Sequence, residues 1–149
     1  MTAPKTWILI GDAAHARVLA ITGTAPRLVA VPAMTLQTEL PMARELGSER
    51  PSRTHDSVGP GRHAVEAKSS PRRVLQRKFA QTIADRLDRS ATAKEFDRLL
   101  VVMAPAMLGD LRQCLSKAVL DRVVAEVAKD LVKVPDNKIR SHLDGIVAI

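Results

Sequence analysis

The sequence predicts one α/β domain built on a mixed sheet, and three observations predict it. Short apolar runs of strand length fill the first 31 residues, with turn residues between them. A segment at residues 72–90 repeats apolar residues at helical spacing. Beyond it, strand-length apolar runs alternate with helix-length segments to the end of the chain. A length of 149 residues suits a single domain, and 46% hydrophobic residues supply its core.

Trp7–Ile10 is a buried strand closed by Gly11-Asp12. Arg17–Ile21 is a second strand, ended by Thr22-Gly23, and Arg27–Val31 a third, ended by Pro32. Connections this short favour an antiparallel meander. Arg72–Ser90 is the strongest helix: Leu75, Phe79, Ile83 and Leu87 share one face, and Pro71 suits its first turn. Its opposite face carries Arg73, Arg77, Asp85, Arg86 and Asp88. Asp97–Met103 reads as a central strand. Pro105 opens a helix with Leu108, Leu111 and Leu115 on one face and Cys114 beside them, read as a buried structural thiol. Ser116 caps a further turn to Leu120, Arg122–Ala128 is the last strand, and Pro135–Leu143 a closing helix. The order is three antiparallel strands, a long loop, then α-β-α-β-α, which matches the ribonuclease-H-like architecture. Leftover apolar surface is compatible with a homodimer.

Residues 35–72 break this pattern. They hold Pro41, Gly47, Pro51, Gly59, Pro60, Gly61 and Pro71 without apolar periodicity, and only Pro41–Leu46 reads as a helical turn. A loop this long inside a compact domain is functional or disordered, and both hold if it orders on binding. The second part of the loop and the start of the helix are basic. From Arg50 to Lys78, Arg50, Arg53, Arg62, Lys68, Arg72, Arg73, Arg77 and Lys78 oppose only Asp56 and Glu66, which concentrates +6 of the formal charge of +7 between residues 50 and 78. Such a run serves as a solvated face or as a surface for a polyanion. Basic residues at a helix start oppose the macrodipole, so Arg72, Arg73, Arg77 and Lys78 gain nothing locally from their place, which supports an external anion.

The single cysteine forms no internal disulfide, the N-terminal residues do not read as a signal peptide, and no run is apolar enough to span a bilayer. These features point to a cytoplasmic protein.

Several motifs together resemble a known family: Lys5–Asp12 with Ala16-Arg17, Leu46–Pro51, Asp56–Glu66, Phe96–Val101, Leu108–Arg112 and Val124–Leu131. They are similar to the bacterial host attachment family, described as proteins required for attachment to host cells. That family resembles the middle domain of archaeal and eukaryotic peptide-chain release factors. There a loop between the third strand and the first long helix carries Gly-Gly-Gln and helps water attack the peptidyl-tRNA ester. The resemblance implies a counterpart loop here, presenting Gly59-Pro60-Gly61-Arg62-His63. The glutamine is absent and Pro60 parts the glycines, so release activity does not carry over.

Within the loop, Gly59 and Gly61 let backbone approach a ligand, as they would also serve an ordinary turn. Arg53, Arg62, Arg72, Arg73 and Arg77 can hold phosphates through guanidinium forks. With only Trp7, Phe79 and Phe96 as aromatics, a base-stacking platform is disfavoured. His63 is the candidate acid–base group, with Asp56 and Ser57 beside it in the loop motif, although an exposed loop histidine needs no such role. His55 and His63 lack metal-ligand spacing and a third ligand, so no metal is assigned, and no cofactor is implied. Ser57 does not stand in a nucleophile elbow. Asp12 and Asp97 belong to opposite ends of their strands and do not form a nuclease pair. The leading expectation is a factor binding ribosomes or tRNA through its basic loop, with little or no catalysis. The alternatives are a hydrolase of an ester or peptidyl-tRNA using His63, and an adhesion factor in attachment to host cells.

Overall fold

A computed structural model describes residues 4–22, 27–39 and 70–146. Strand β1 (Thr6–Gly11) turns into β2 (His15–Thr22), and β3 (Arg27–Ala30) follows. A 3-10 turn at Pro32–Met34 leads to the two-residue strand β4 (Leu36–Gln37). Helix α1 (Pro71–Thr92) precedes β5 (Arg98–Met103), α2 (Pro105–Cys114), α3 (Lys117–Leu120), β6 (Val123–Val127) and α4 (Asp136–Leu143).

The strands form a six-stranded mixed sheet in the order β3-β2-β1-β5-β6, with β4 also on β2. The β1–β2 and β2–β3 pairs are antiparallel, as the short connections require, with Thr6 opposite Ile21 and Gly11 opposite Ala16. Parallel β1 and β5 align Thr6 with Arg98 and Gly11 with Met103, and β5 pairs parallel with β6. This order and these directions are compatible with the ribonuclease-H-like arrangement. Strand β4 adds a short pairing, His15 with Gln37, inside what the sequence reads as loop.

Side chains alternate across the sheet. Trp7, Leu9, Leu99, Val101 and Met103 face one core with Phe79, Ile83 and Leu87 of α1 and Met107 and Leu111 of α2. Ile8, Ile10, Leu100 and Val102 face a second core closed by Leu131, Ile139 and Leu143. Central strands covered on both faces read as continuous apolar runs, which is why β1 and β5 are so plain in the sequence. Trp7 stacks on Phe96 at 4.8 Å, and the Arg122 guanidinium lies 5.8 Å from the Phe96 ring centre.

Helix ends follow local chemistry. The Ser70 hydroxyl accepts the Arg73 N–H at 3.2 Å and caps α1. At the other end Lys94 takes φ +57°, and the N–H groups of Lys94 and Glu95 bond the carbonyls of Ala91 and Ser90. That pattern is a Schellman motif. The Ser116 hydroxyl caps α3 and donates to Asp88 at 2.7 Å, joining α3 to α1. Cys114 is half-buried beside the first core, less enclosed than its place in the sequence suggests.

Candidate functional site at the carboxyl edge of the sheet

The chain leaves β1 toward β2 on one side and leaves β5 toward β6 on the other. The strand order of the sheet therefore reverses between β1 and β5, and the carboxyl ends of strands at such a point are where open α/β sheets hold ligands. Gly11 and Met103 lie side by side there.

The turn after β1 is tightly made. The Asp12 carboxylate accepts the N–H of Ala14 at 2.9 Å and of His15 at 2.7 Å, and the Asp12 N–H donates to the His15 carbonyl at 2.8 Å. A Cβ on Gly11 would stand 3.1 Å from that carbonyl, so glycine keeps strand and turn in close approach. The His15 ring reaches back to Asp12, with Nδ1 3.3 Å from Oδ1, and its side chain is exposed.

Both flanks of residues 40–69 belong to this edge. On the incoming side β4 pairs with the first residues of β2, and the Thr38 N–H donates to the Ala14 carbonyl at 2.9 Å. On the outgoing side is the start of α1. The far end of α1 is fixed at the opposite edge, where Lys5 Nζ donates to the Lys94 carbonyl and the Lys5 N–H to Asp97. Its 22 residues span about 33 Å, against roughly 20 Å for a six-residue strand. The first turns of α1 thus extend past the carboxyl ends of β1 and β5.

Those turns carry Arg72, Arg73, Arg77 and Lys78, with no acidic residue in the first turn. Arg77 and Lys78 are exposed and Arg72 is half-buried. Arg73 departs from the polar face on which the sequence reading sets it. Its guanidinium turns to α2 and forms a fork with Asp110, Nη2 to Oδ1 at 2.6 Å and Nη1 to Oδ2. The hydrogen bonds to Asp110 hold Arg73 above its usual pKa against the opposing effect of burial. Its guanidinium fork is occupied by Asp110 of α2.

The Leu108–Arg112 motif acts as a clamp. Leu108 and Leu111 enter the core, Asp110 holds α1 through Arg73, and Arg112 reaches Glu126 on β6 at 2.5 Å. Asp12 and Asp97 stand at opposite ends of the parallel pair, as expected: Asp12 serves the turn and Asp97 accepts the Lys5 N–H at 2.7 Å.

Arg53, Asp56, Ser57, Gly59, Gly61, Arg62 and His63 lie outside the described residues, as do His55 and the Pro41–Leu46 turn. Of the sequence-predicted site residues, Arg72, Arg73 and Arg77 are brought to the edge, and Arg73 is taken up by Asp110. The sequence reading overlooked His15, although Asp-x-x-His directly after an apolar strand and Gly11 signals an imidazole at a strand's carboxyl end. Among the described residues no group of three His, Cys, Asp or Glu side chains is placed to hold a metal. Nor is any described helix long and apolar enough to cross a membrane.

No curated protein matches the chain. The model of one family, described as "Protein required for attachment to host cells", matches residues 7–143, from Trp7 in β1 to Leu143 at the end of α4. The chain belongs to this host attachment family.

Proposed function

We propose that the protein binds the phosphate backbone of RNA, on ribosomes or tRNA, and acts in the cytoplasm as a translation-associated factor. One observation carries this reading: residues 40–69 are flanked on both sides by the carboxyl edge of the parallel strands, beside the basic first turns of α1. Residues 50–78 hold +6 of the charge, and guanidinium and ammonium groups at that density suit phosphates in series. The scarcity of aromatic residues fits contact with backbone phosphates in place of base stacking. The likeness to the release-factor middle domain, where the loop at this point in the chain enters the ribosome, agrees with the same partner. On this reading attachment to host cells is a downstream consequence of altered translation.

Sedimentation with purified ribosomes, and filter binding to tRNA, test the proposal. Binding that falls by orders of magnitude between about 50 and 200 mM salt supports it. No binding to either at the lower salt sinks it.

A second reading, hydrolysis of an ester or of peptidyl-tRNA, is favoured by the His15–Asp12 hydrogen bond at the same edge. An imidazole held by a carboxylate is suited to activating water, and His63 supplies a second imidazole from residues 40–69. Turnover lost in His15→Ala or His63→Ala, with RNA binding kept, supports this reading; no turnover by the parent protein on such esters removes it.

A further inference from the structure

At the opposite end of the molecule a half-open cleft of about 400 Å³ lies between the start of β1, the 3-10 turn and the last turns of α1. Its volume falls within the range of small-molecule pockets. The floor is apolar: Trp7 and Met34 line it, 5% and 3% exposed. Ser90 is beside them, and its hydroxyl donates weakly to the Met34 sulfur at 3.9 Å.

The rim is cationic. Lys5, Arg86 and Arg89 stand around the cleft against a single acid, Glu95. Among the described residues none of the three cations is paired with a carboxylate. Lys5 Nζ donates to the Lys94 carbonyl at 3.2 Å and Arg86 Nη2 to the Ala33 carbonyl at 3.0 Å, which anchors each side chain at the cleft and leaves further donors on both. Arg89 in the last turns of α1 is favoured there by the macrodipole. That accounts for one cation, but not for three converging over an apolar floor.

We propose that this cleft binds a small amphipathic organic anion, an apolar aryl or acyl body that lies on Trp7 and Met34 with a carboxylate, sulfonate or phosphate held by Lys5, Arg86 and Arg89. The site is independent of the carboxyl edge, which lies at the other end of β1.

Trp7 is the sole tryptophan, so its fluorescence reports on the cleft. The probe is anilinonaphthalene sulfonate, titrated into the folded full-length chain, with Trp7 emission read for quenching and energy transfer. Saturable one-to-one binding is expected, weakened at least tenfold by Arg89→Glu and by the milder pair Lys5→Gln/Arg89→Gln. Arg77→Glu, at the carboxyl edge, leaves it unchanged. Circular dichroism melts establish that each variant is folded at the titration temperature. The proposal is overturned if the probe binds without saturation, if the folded Arg89→Glu and Lys5→Gln/Arg89→Gln variants bind as the parent does, or if the uncharged N-phenylnaphthylamine binds equally well. Loss of RNA binding in Arg77→Glu with the probe titration unchanged separates this site from the one proposed for RNA.

Discussion

Arg73 and Asp110 meet across the α1–α2 interface as fork and carboxylate, with Asp110 the more deeply placed at 8% side-chain exposure against 31% for Arg73. That difference makes the two single substitutions unequal. Arg73→Gln strands a buried carboxylate, whereas Asp110→Asn leaves a guanidinium that still reaches water and Gln76. Arg73→Gln should cost about 2 kcal/mol and Asp110→Asn about 1 kcal/mol, the partial exposure of Arg73 keeping both below the cost for a fully buried pair. Urea unfolding measures both, and equal losses would contradict the asymmetry. Because folding raises the Arg73 pKa, its contribution is complete below the ordinary arginine value. It is lost only as pH rises through the folded value, which lies above the ordinary arginine range. The loss in Arg73→Gln should therefore be the same at about pH 7 and about pH 9.

Periodicity made most of the scaffold readable. Phe79, Ile83 and Leu87 are buried as their spacing requires. Leu75 of the same stripe is half-buried, because it stands in the turns of α1 that pass beyond the sheet. The partners of charged residues were not readable. Asp110 sits between Leu108 and Leu111 with its mate 37 residues away on another helix, and no local spacing records that pairing. Arg17 is similar: from the middle of β2 it bonds the carbonyls of Val132 and Val134 and the Asp136 carboxylate, holding the approach to α4. Strand β4 is two residues long, too short for an alternating pattern to emerge. Sequence position alone pointed to the candidate edge, since a segment entering a first helix has to meet the edge where that helix begins.

Cys114 should react slowly with thiol reagents. Burial pushes its thiol up, and the nearby charges of Asp110 and Asp85 push it further in the same direction. The neutral thiol therefore dominates at neutral pH, while the thiolate is the reactive form. Iodoacetamide at neutral pH should modify the folded protein more slowly than the urea-unfolded chain. The midpoint of the rate against pH should lie above that of an ordinary cysteine. Modification of the folded protein as fast as of the unfolded chain would refute this.

Lys94 is the residue after the cap of α1 and holds φ +57°, a conformation that costs a non-glycine side chain roughly 1 kcal/mol. The Schellman bonds and the bond from Lys5 Nζ involve no side-chain atom of residue 94, so a glycine keeps all of them. Lys94→Gly should stabilise the protein by about 0.5–1 kcal/mol, less the added freedom of glycine in the unfolded chain. Thermal unfolding checks the sign, and a lowered midpoint would show that the left-handed turn carries no strain.

The salt dependence of RNA binding should separate the arginines at the start of α1. Each phosphate contact removed lowers the slope of log affinity against log salt by about 0.9 on a duplex or about 0.7 on a single strand. Arg77 and Lys78 are exposed at the carboxyl edge, so Arg77→Gln and Lys78→Gln should each reduce the slope by close to one contact. Arg73 is held by Asp110, so Arg73→Gln should leave the slope as it is at a temperature where the variant is folded. Binding to tRNA, measured for each variant at four or more salt concentrations, gives the slopes. A drop for Arg73→Gln equal to that for Arg77→Gln would mean that the fork opens to take a phosphate and that Asp110 is a competitor for the ligand. Unchanged slopes in Arg77→Gln and Lys78→Gln would remove α1 from the RNA interface and leave residues 40–69 to account for it alone.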